Sequence, residues 1–107
     1  MVYFGDVKNA PYGIKSQDEL RSLTLSSVKT LLENGATNIL SVCNSVSAFM
    51  LLEEIGLLSD MPFGIIEMIN PTVDEFSRHK NIAIFATPAT IESGVYQNNF
   101  KQSGVEI

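Results

Sequence analysis

The 107-residue sequence has no tryptophan, a single histidine and a single cysteine. One cysteine cannot form an internal disulfide or a metal site with several thiolate ligands, so Cys43 is a free thiol and we expect a reducing compartment. Basic residues are also few, seven against twelve acidic ones, and the net charge is −5. A negative charge opposes the counterion release that drives nucleic-acid binding, and no Lys/Arg cluster offsets it. We therefore expect no nucleic-acid partner.

Long apolar runs are missing as well. The longest lies around residues 82–86, whereas a membrane helix needs about 20 apolar residues. The chain does not begin with a basic and then apolar signal peptide. It also contains no phosphate-binding loop, no dinucleotide fingerprint and no metal-ligand spacing. The sequence thus predicts a cytoplasmic protein with no membrane partner, no cofactor and no metal.

The sequence does contain an alternation of strand-like and helix-like segments. Strands are predicted at residues 2–4, 37–42, 63–66, 81–86 and, beginning a fifth, 105–107. Helices are predicted over residues 16–34 with a Ser16/Glu19 capping box, over 45–55, from Asn70-Pro71 onward, and from Thr87 or Thr90 to Gly104. This order predicts one α/β domain, in which a parallel sheet of about five strands carries helices on both faces.

In such a sheet, ligands gather at the carboxyl ends of the strands, where loops lead into helix N-termini. Residues 5–13, 43–45, 67–71 and 87–90 fall at this edge of the predicted sheet. Helix N-termini offer unpaired N–H groups and partial positive charge. Together these loops could hold an anion such as a carboxylate or a phosphate.

Cys43 lies where the second predicted strand leads into a helix, so the helix dipole would stabilise its thiolate and make it a usable base. A free cysteine also often fills core space. Asn44 and Ser45 suit helix capping without any ligand, and Tyr12 suits a proline-x-glycine turn. His79, near a predicted helix end, has a structural interpretation. From the residues alone these alternatives stay open.

Four segments, in this order, resemble the glutamate racemase family. They are Val2-Tyr3-Phe4-Gly5-Asp6, Pro11-Tyr12-Gly13-x-Lys15-Ser16, Cys43-Asn44-Ser45-Val46-Ser47-Ala48 and Thr87-Pro88-Ala89-Thr90-Ile91-x-Ser93-Gly94-x-Tyr96. Each segment is weak by itself, but together they cover nearly the whole chain with the spacing of the family. The resemblance implies the flavodoxin-like half of a two-domain aspartate/glutamate racemase.

The resemblance further implies pyridoxal-independent interconversion of L- and D-glutamate, which supplies D-glutamate for bacterial peptidoglycan. In this family one cysteine thiolate removes the α-proton, and a second cysteine delivers a proton to the opposite face. Cys43 matches the first of these cysteines. The residues that match the family's substrate pocket are Tyr12, Gly13, Asn44, Ser45, Thr87 and Thr90.

The chain also departs from the family. It lacks the opening strand with its Asp-Ser pair and the second half with its Cys-Thr-His motif, and Ser45 stands where a threonine is usual. We therefore expect residues 1–107 to form a single amino-terminal racemase domain that lacks its first strand and the second domain and is inactive alone. The alternatives are an aspartate racemase, a dimer in which each copy contributes Cys43, and a binding domain without the chemistry. Apolar surface exposed by the missing parts predicts a homo-oligomer.

Overall fold

The computed structural model describes residues 1–49 and 64–106. The helices and strands in these ranges are α1 (Gln17–Glu33), β1 (Asn38–Leu40), α2 (residues 44–49), β2 (Gly64–Ile66), α3 (Ile69–Phe76), α4 (Pro88–Ser93) and α5 (Val95–Gln102). The second half of the helix predicted over 45–55, the first residue of the strand predicted at 63–66, and residue 107 lie outside the described residues.

α1 follows the helix predicted over residues 16–34. Ser16 is its N-cap, because the Ser16 hydroxyl accepts a hydrogen bond from the Glu19 backbone N–H at 3.2 Å and the Glu19 carboxylate accepts one from the Ser16 N–H at 2.8 Å. Gly35 follows the helix with a φ of 88°, a conformation that favours glycine. The capping box and the glycine stop are both local signals, which is why the sequence predicts this helix so closely.

β1 and β2 pair in parallel, with Ile39 opposite Ile65. Ile39 is buried against Val28 of α1, so α1 covers one face of this pair. The residues that follow Ile39 and Ile65 in the two strands are mostly exposed, Leu40 to 65% and Ile66 to 62%. The parallel α/β class is confirmed, and within the described ranges the sheet has two strands instead of about five.

The other three predicted strands are absent or reduced to a single bridge in the part of the chain that the structure describes. Residues 2–4 and 82–86 form no strand, and the strand predicted from residue 105 is reduced to one parallel bridge between Asn81 and Glu106. Residue type expresses only a preference for extended backbone, whereas a strand also needs a neighbouring strand for its N–H and C=O groups. No such neighbour lies beside residues 2–4 or 83–86 among the described residues.

The last predicted helix is two helices. α4 starts after its N-cap Thr87, with Pro88 in the first turn, and it ends at Gly94, where φ is 69°. A left-handed residue cannot continue a right-handed helix, so the chain turns and α5 starts at Val95. α5 then ends beside Gly104, as predicted.

α3 also begins differently from the prediction. Its N-cap is Met68, whose side chain makes no capping bond. The carboxylate of Glu67 instead accepts hydrogen bonds from the backbone N–H groups of Ile69 and, at 3.2 Å, Asn70. A negative charge at a helix N-terminus is favourable, so Glu67 replaces the cap predicted at Asn70-Pro71.

The main core joins α2, α3 and α5. Its buried side chains are Ala48, Ile69, Val73, Val95, Tyr96, Phe100 and Val105. Ile82 and Ile84 pack against this cluster, so the segment that forms no strand still contributes to the core. None of the helices in residues 1–49 and 64–106 combines the length and apolarity that a membrane crossing requires.

Candidate functional site

Cys43 directly precedes α2, three residues beyond the end of β1. Its carbonyl accepts a hydrogen bond from the Ser47 N–H at 2.8 Å, which is the first intrahelical bond of α2. The thiol is free and the residue is exposed, and it borders a cleft of about 400 Å³. An exposed thiol does not fill core space, so the alternative interpretation of Cys43 as a core-packing residue is wrong.

The cleft beside Cys43 lies between α1, β1 and residues 3–6. The cleft is lined mainly by apolar residues, and its polar lining residues include Asp6, Tyr12, Thr24, Ser27 and Ser41. Thr24 is 1% exposed, and its hydroxyl has no hydrogen-bond partner among the described residues. Apolar walls with a few convergent polar groups are typical of small-molecule sites.

Asp6 fixes the hydroxyl of Tyr12 in this cleft. Tyr12 donates a hydrogen bond to the Asp6 carboxylate, which also accepts the side-chain amide of Asn9 at 2.9 Å and the Asn9 backbone N–H at 3.2 Å. Burial is the largest cause that raises the pKa of Tyr12 to about 12, followed by the hydrogen bond to Asp6 and the negative charge of Asp6. The bond from Tyr12 in turn lowers the pKa of Asp6. Tyr12 is therefore a neutral hydroxyl at physiological pH, oriented by an ionised carboxylate.

We expect Tyr12 to ionise at a higher pH than an ordinary tyrosine. Its folded-state pKa of about 12 lies above the ordinary value of 10.0, so its contribution to stability is fully present below pH 10 and is lost as the pH rises through 12. An ultraviolet absorbance titration should show a late tyrosinate step that disappears in Tyr12→Phe. Tyr3→Phe, which changes a side chain that is 84% exposed, should keep the late step. Its loss in Tyr3→Phe would contradict the assignment.

Three hydroxyl groups meet where α2 and α4 begin. The Ser45 Oγ lies 3.0 Å from the Thr87 Oγ1 and 3.5 Å from the Thr90 Oγ1, and the two threonine oxygens are 3.2 Å apart. Ser45 is 4% exposed and Thr90 is 1% exposed, whereas Thr87 is exposed. The cluster thus joins the predicted segments 43–45 and 87–90, and Thr87 is its solvent-exposed member.

Gly13 ties the first loop to this hydroxyl cluster. Its carbonyl accepts a hydrogen bond from the Ala89 N–H at 2.8 Å. A Cβ added at Gly13 would lie 2.4 Å from the Thr87 Cβ and 2.5 Å from its Cγ2. Only glycine allows this close approach, so the residue type at position 13 is a packing requirement of the site.

Asn44 is the first residue of α2 and is partly buried. Its Oδ1 accepts a hydrogen bond from the hydroxyl of Tyr96 at 2.7 Å. Sequence reasoning missed Tyr96 and Asp6 as members of this site. Both stand in the segments that carry the family resemblance, so their position in those segments was the available signal.

The structure therefore arranges the predicted residues in two adjoining groups. Cys43 and Tyr12 line the cleft, whereas Ser45, Thr87 and Thr90 form the hydroxyl cluster against which Gly13 packs. Asn44 stands between Cys43 and Ser45 in the sequence. Over residues 1–49 and 64–106, no group of three His, Cys, Asp or Glu side chains could hold a metal ion. An exposed thiol in a cleft with hydrogen-bonding side chains suits proton transfer to or from a small polar molecule.

Comparison with known proteins finds glutamate racemases as relatives of this chain. The chain is 37% identical over 111 residues to the glutamate racemase of Aquifex pyrophilus, with its whole length covered. The solved structure of glutamate racemase from the same organism matches 98% of the chain with a TM-score of 0.89 and 32% identity. The chain is a homologue of glutamate racemases over its whole length. No protein-family model matches it.

This glutamate racemase homologue spans 42% of the length of its Aquifex pyrophilus relative. The part that matches is the amino-terminal domain of these racemases. A second solved structure, glutamate racemase from Francisella tularensis in complex with D-glutamate, matches 97% of the chain and 39% of its own length, with a TM-score of 0.82 and 28% identity. Both fold and sequence therefore relate the homologue to a family of amino acid isomerases.

Proposed function

We propose that this chain forms the half of a glutamate racemase site that carries the first acid–base cysteine. The observation that supports the proposal most directly is the exposed free thiol of Cys43 at the edge of the cleft, next to α2. The complex of the Francisella tularensis relative with D-glutamate supports glutamate as the small molecule that enters this site.

In the proposed reaction, the Cys43 thiolate takes the α-proton of glutamate and becomes a thiol. A second thiol then gives its proton to the opposite face of the planar carbanion, which inverts the centre without any change of oxidation state. The residues proposed to hold the amino acid by hydrogen bonds are Tyr12, Gly13, Asn44, Ser45, Thr87 and Thr90. The contact between the Ser45 and Thr87 hydroxyls at 3.0 Å supports their action as one binding group.

We propose that residues 1–107 act as a racemase amino-terminal domain. Cys43 is the single cysteine of the sequence, so this chain has one of the two acid–base groups. A positioned acid or base contributes about 10²- to 10⁴-fold to a rate. Racemisation by this chain alone should therefore be slower, by that factor or more, than racemisation by an enzyme with both cysteines. In the cell, the complete activity would supply D-glutamate for peptidoglycan in the bacterial cytoplasm.

Titration calorimetry with L- and D-glutamate, together with a racemisation assay, tests this function. The purified chain should release or absorb heat on binding glutamate and should show negligible racemisation. Cys43→Ser should retain binding, because the thiol acts on the proton and the hydrogen-bonding groups hold the substrate. Absence of heat with both enantiomers would favour a binding domain for another ligand, and heat with aspartate alone would favour an aspartate racemase.

A dimer in which each copy contributes Cys43 is the second enzymatic candidate. It predicts racemisation by the wild-type chain that disappears in Cys43→Ser. A Cys43→Ser variant as active as the wild type excludes this candidate.

We also propose that copies of the chain associate through exposed apolar side chains. Phe85 is 99% exposed and Val42 is 71% exposed, in addition to Leu40 and Ile66 on the sheet. Apolar surface of this kind favours association. Sedimentation velocity should therefore show species larger than a monomer as the concentration rises, and a purely monomeric profile contradicts the proposal.

A further inference from the structure

The hydroxyl of Tyr96 is held in a fixed place by the main core. Tyr96 is 7% exposed, and its ring lies nearly parallel to that of Phe100, with the centroids 6.3 Å apart. Ring packing therefore sets where the hydroxyl lies. From that position it donates to the Oδ1 of Asn44, 52 residues away in the sequence, at 2.7 Å.

This hydrogen bond decides which end of the Asn44 carboxamide faces Tyr96. A tyrosine hydroxyl has one proton to donate, and a carboxamide has one oxygen and one NH₂ group. Because the oxygen accepts the proton of Tyr96, the NH₂ group with its two donors must face away from Tyr96. In the part of the chain that the structure describes, this NH₂ group donates to no other residue.

The surroundings leave the carboxamide free to rotate if the bond is lost. Asn44 and Tyr96 both line a cavity of about 280 Å³, whose other residues are mainly apolar. Among the described residues, the bond from Tyr96 is the one side-chain hydrogen bond that the Asn44 carboxamide makes. The hydroxyl of Tyr96 is thus the group that selects a single orientation of Asn44.

We propose that Tyr96 is a positioning residue that presents the NH₂ group of Asn44 to the substrate. The inference rests on the proposed function, in which Asn44 holds glutamate, and it gives the carboxylate of the substrate a defined pair of N–H donors. A hydrogen-bond donor oriented in advance costs less conformational entropy on binding than one that rotates between two orientations. Tyr96 acts through Asn44 and touches no substrate itself.

The variant Tyr96→Phe removes the hydroxyl and keeps the ring that packs in the core. Two measurements follow, after urea denaturation has shown that the variant is folded. The first is the side-chain amide signal of Asn44 in ¹⁵N-labelled chain without ligand, assigned by its loss in Asn44→Asp. The second is the calorimetric affinity for L- and D-glutamate.

We expect the Asn44 amide signal to move or broaden in Tyr96→Phe and the affinity for glutamate to fall about 2- to 10-fold, the range of one net hydrogen bond. Ser22→Ala removes an exposed hydroxyl of α1 away from the cleft and should change neither measurement. An unchanged Asn44 signal, or a changed signal with unchanged affinity, overturns the inference. If the wild-type chain gives no heat with glutamate, the proposed function fails, and the amide signal still decides whether Tyr96 positions Asn44.

Discussion

Replacing Phe100 with alanine should lower the free energy of unfolding by about 3–5 kcal/mol. Phe100 is 2% exposed and lies in the main core with Ile69 and Val73. Truncation removes the buried ring and leaves a cavity that the surrounding helices can fill only in part. Because domains of this size are stable by only about 5–15 kcal/mol, the loss is a large fraction of the total.

Equilibrium denaturation in urea measures this effect, and Phe85→Ala provides the matched control. Phe85 is 99% exposed, so its truncation should change the free energy of unfolding by less than about 0.5 kcal/mol. Equal losses in the two variants would show that Phe100 does not have the core position described above.

Replacing Gly13 with alanine should cost about 1–3 kcal/mol of stability, the usual range for overpacking, and should weaken glutamate binding. The new Cβ would lie 2.4 Å from the Cβ of Thr87, an atom next to the backbone that cannot move independently. The loop must therefore shift away from α4, which breaks the bond between the Gly13 carbonyl and the Ala89 N–H at 2.8 Å. Urea denaturation and glutamate calorimetry measure the two losses.

Gly5→Ala is the control for the Gly13 variant. The atom nearest to a Cβ at Gly5 is the hydroxyl oxygen of Tyr3, at 2.7 Å, and the Tyr3 side chain is 84% exposed. The far end of an exposed side chain can move into solvent, so Gly5→Ala should leave the stability nearly unchanged. A Gly13→Ala variant as stable as Gly5→Ala would show that the loop does not approach Thr87 so closely.

The sequence predicted features that depend on neighbouring residues more reliably than features that depend on distant ones. Ser16 and Glu19 are three residues apart and cap α1 as predicted. Gly94 was missed as the end of α4, because a glycine inside a helical pattern is tolerated unless its backbone turns left-handed, and the pattern does not reveal that. The strand predicted at residues 81–86 is reduced to a bridge at Asn81, because no second segment pairs with residues 83–86 among the described residues.

The candidate site shows the same difference between features set by neighbouring residues and features set by distant ones. The sequence by itself determined the α/β class, the capped helix α1, the free thiol of Cys43 before a helix and the segments that carry the family resemblance, because these follow from residue type and local spacing. Only the tertiary structure decided that the thiol borders a cleft, that Ser45 meets Thr87 and Thr90, and that Tyr96 reaches Asn44. Those contacts join side chains that are 42 to 52 residues apart, and such distances are set by the packing of helices around a core and not by any local pattern.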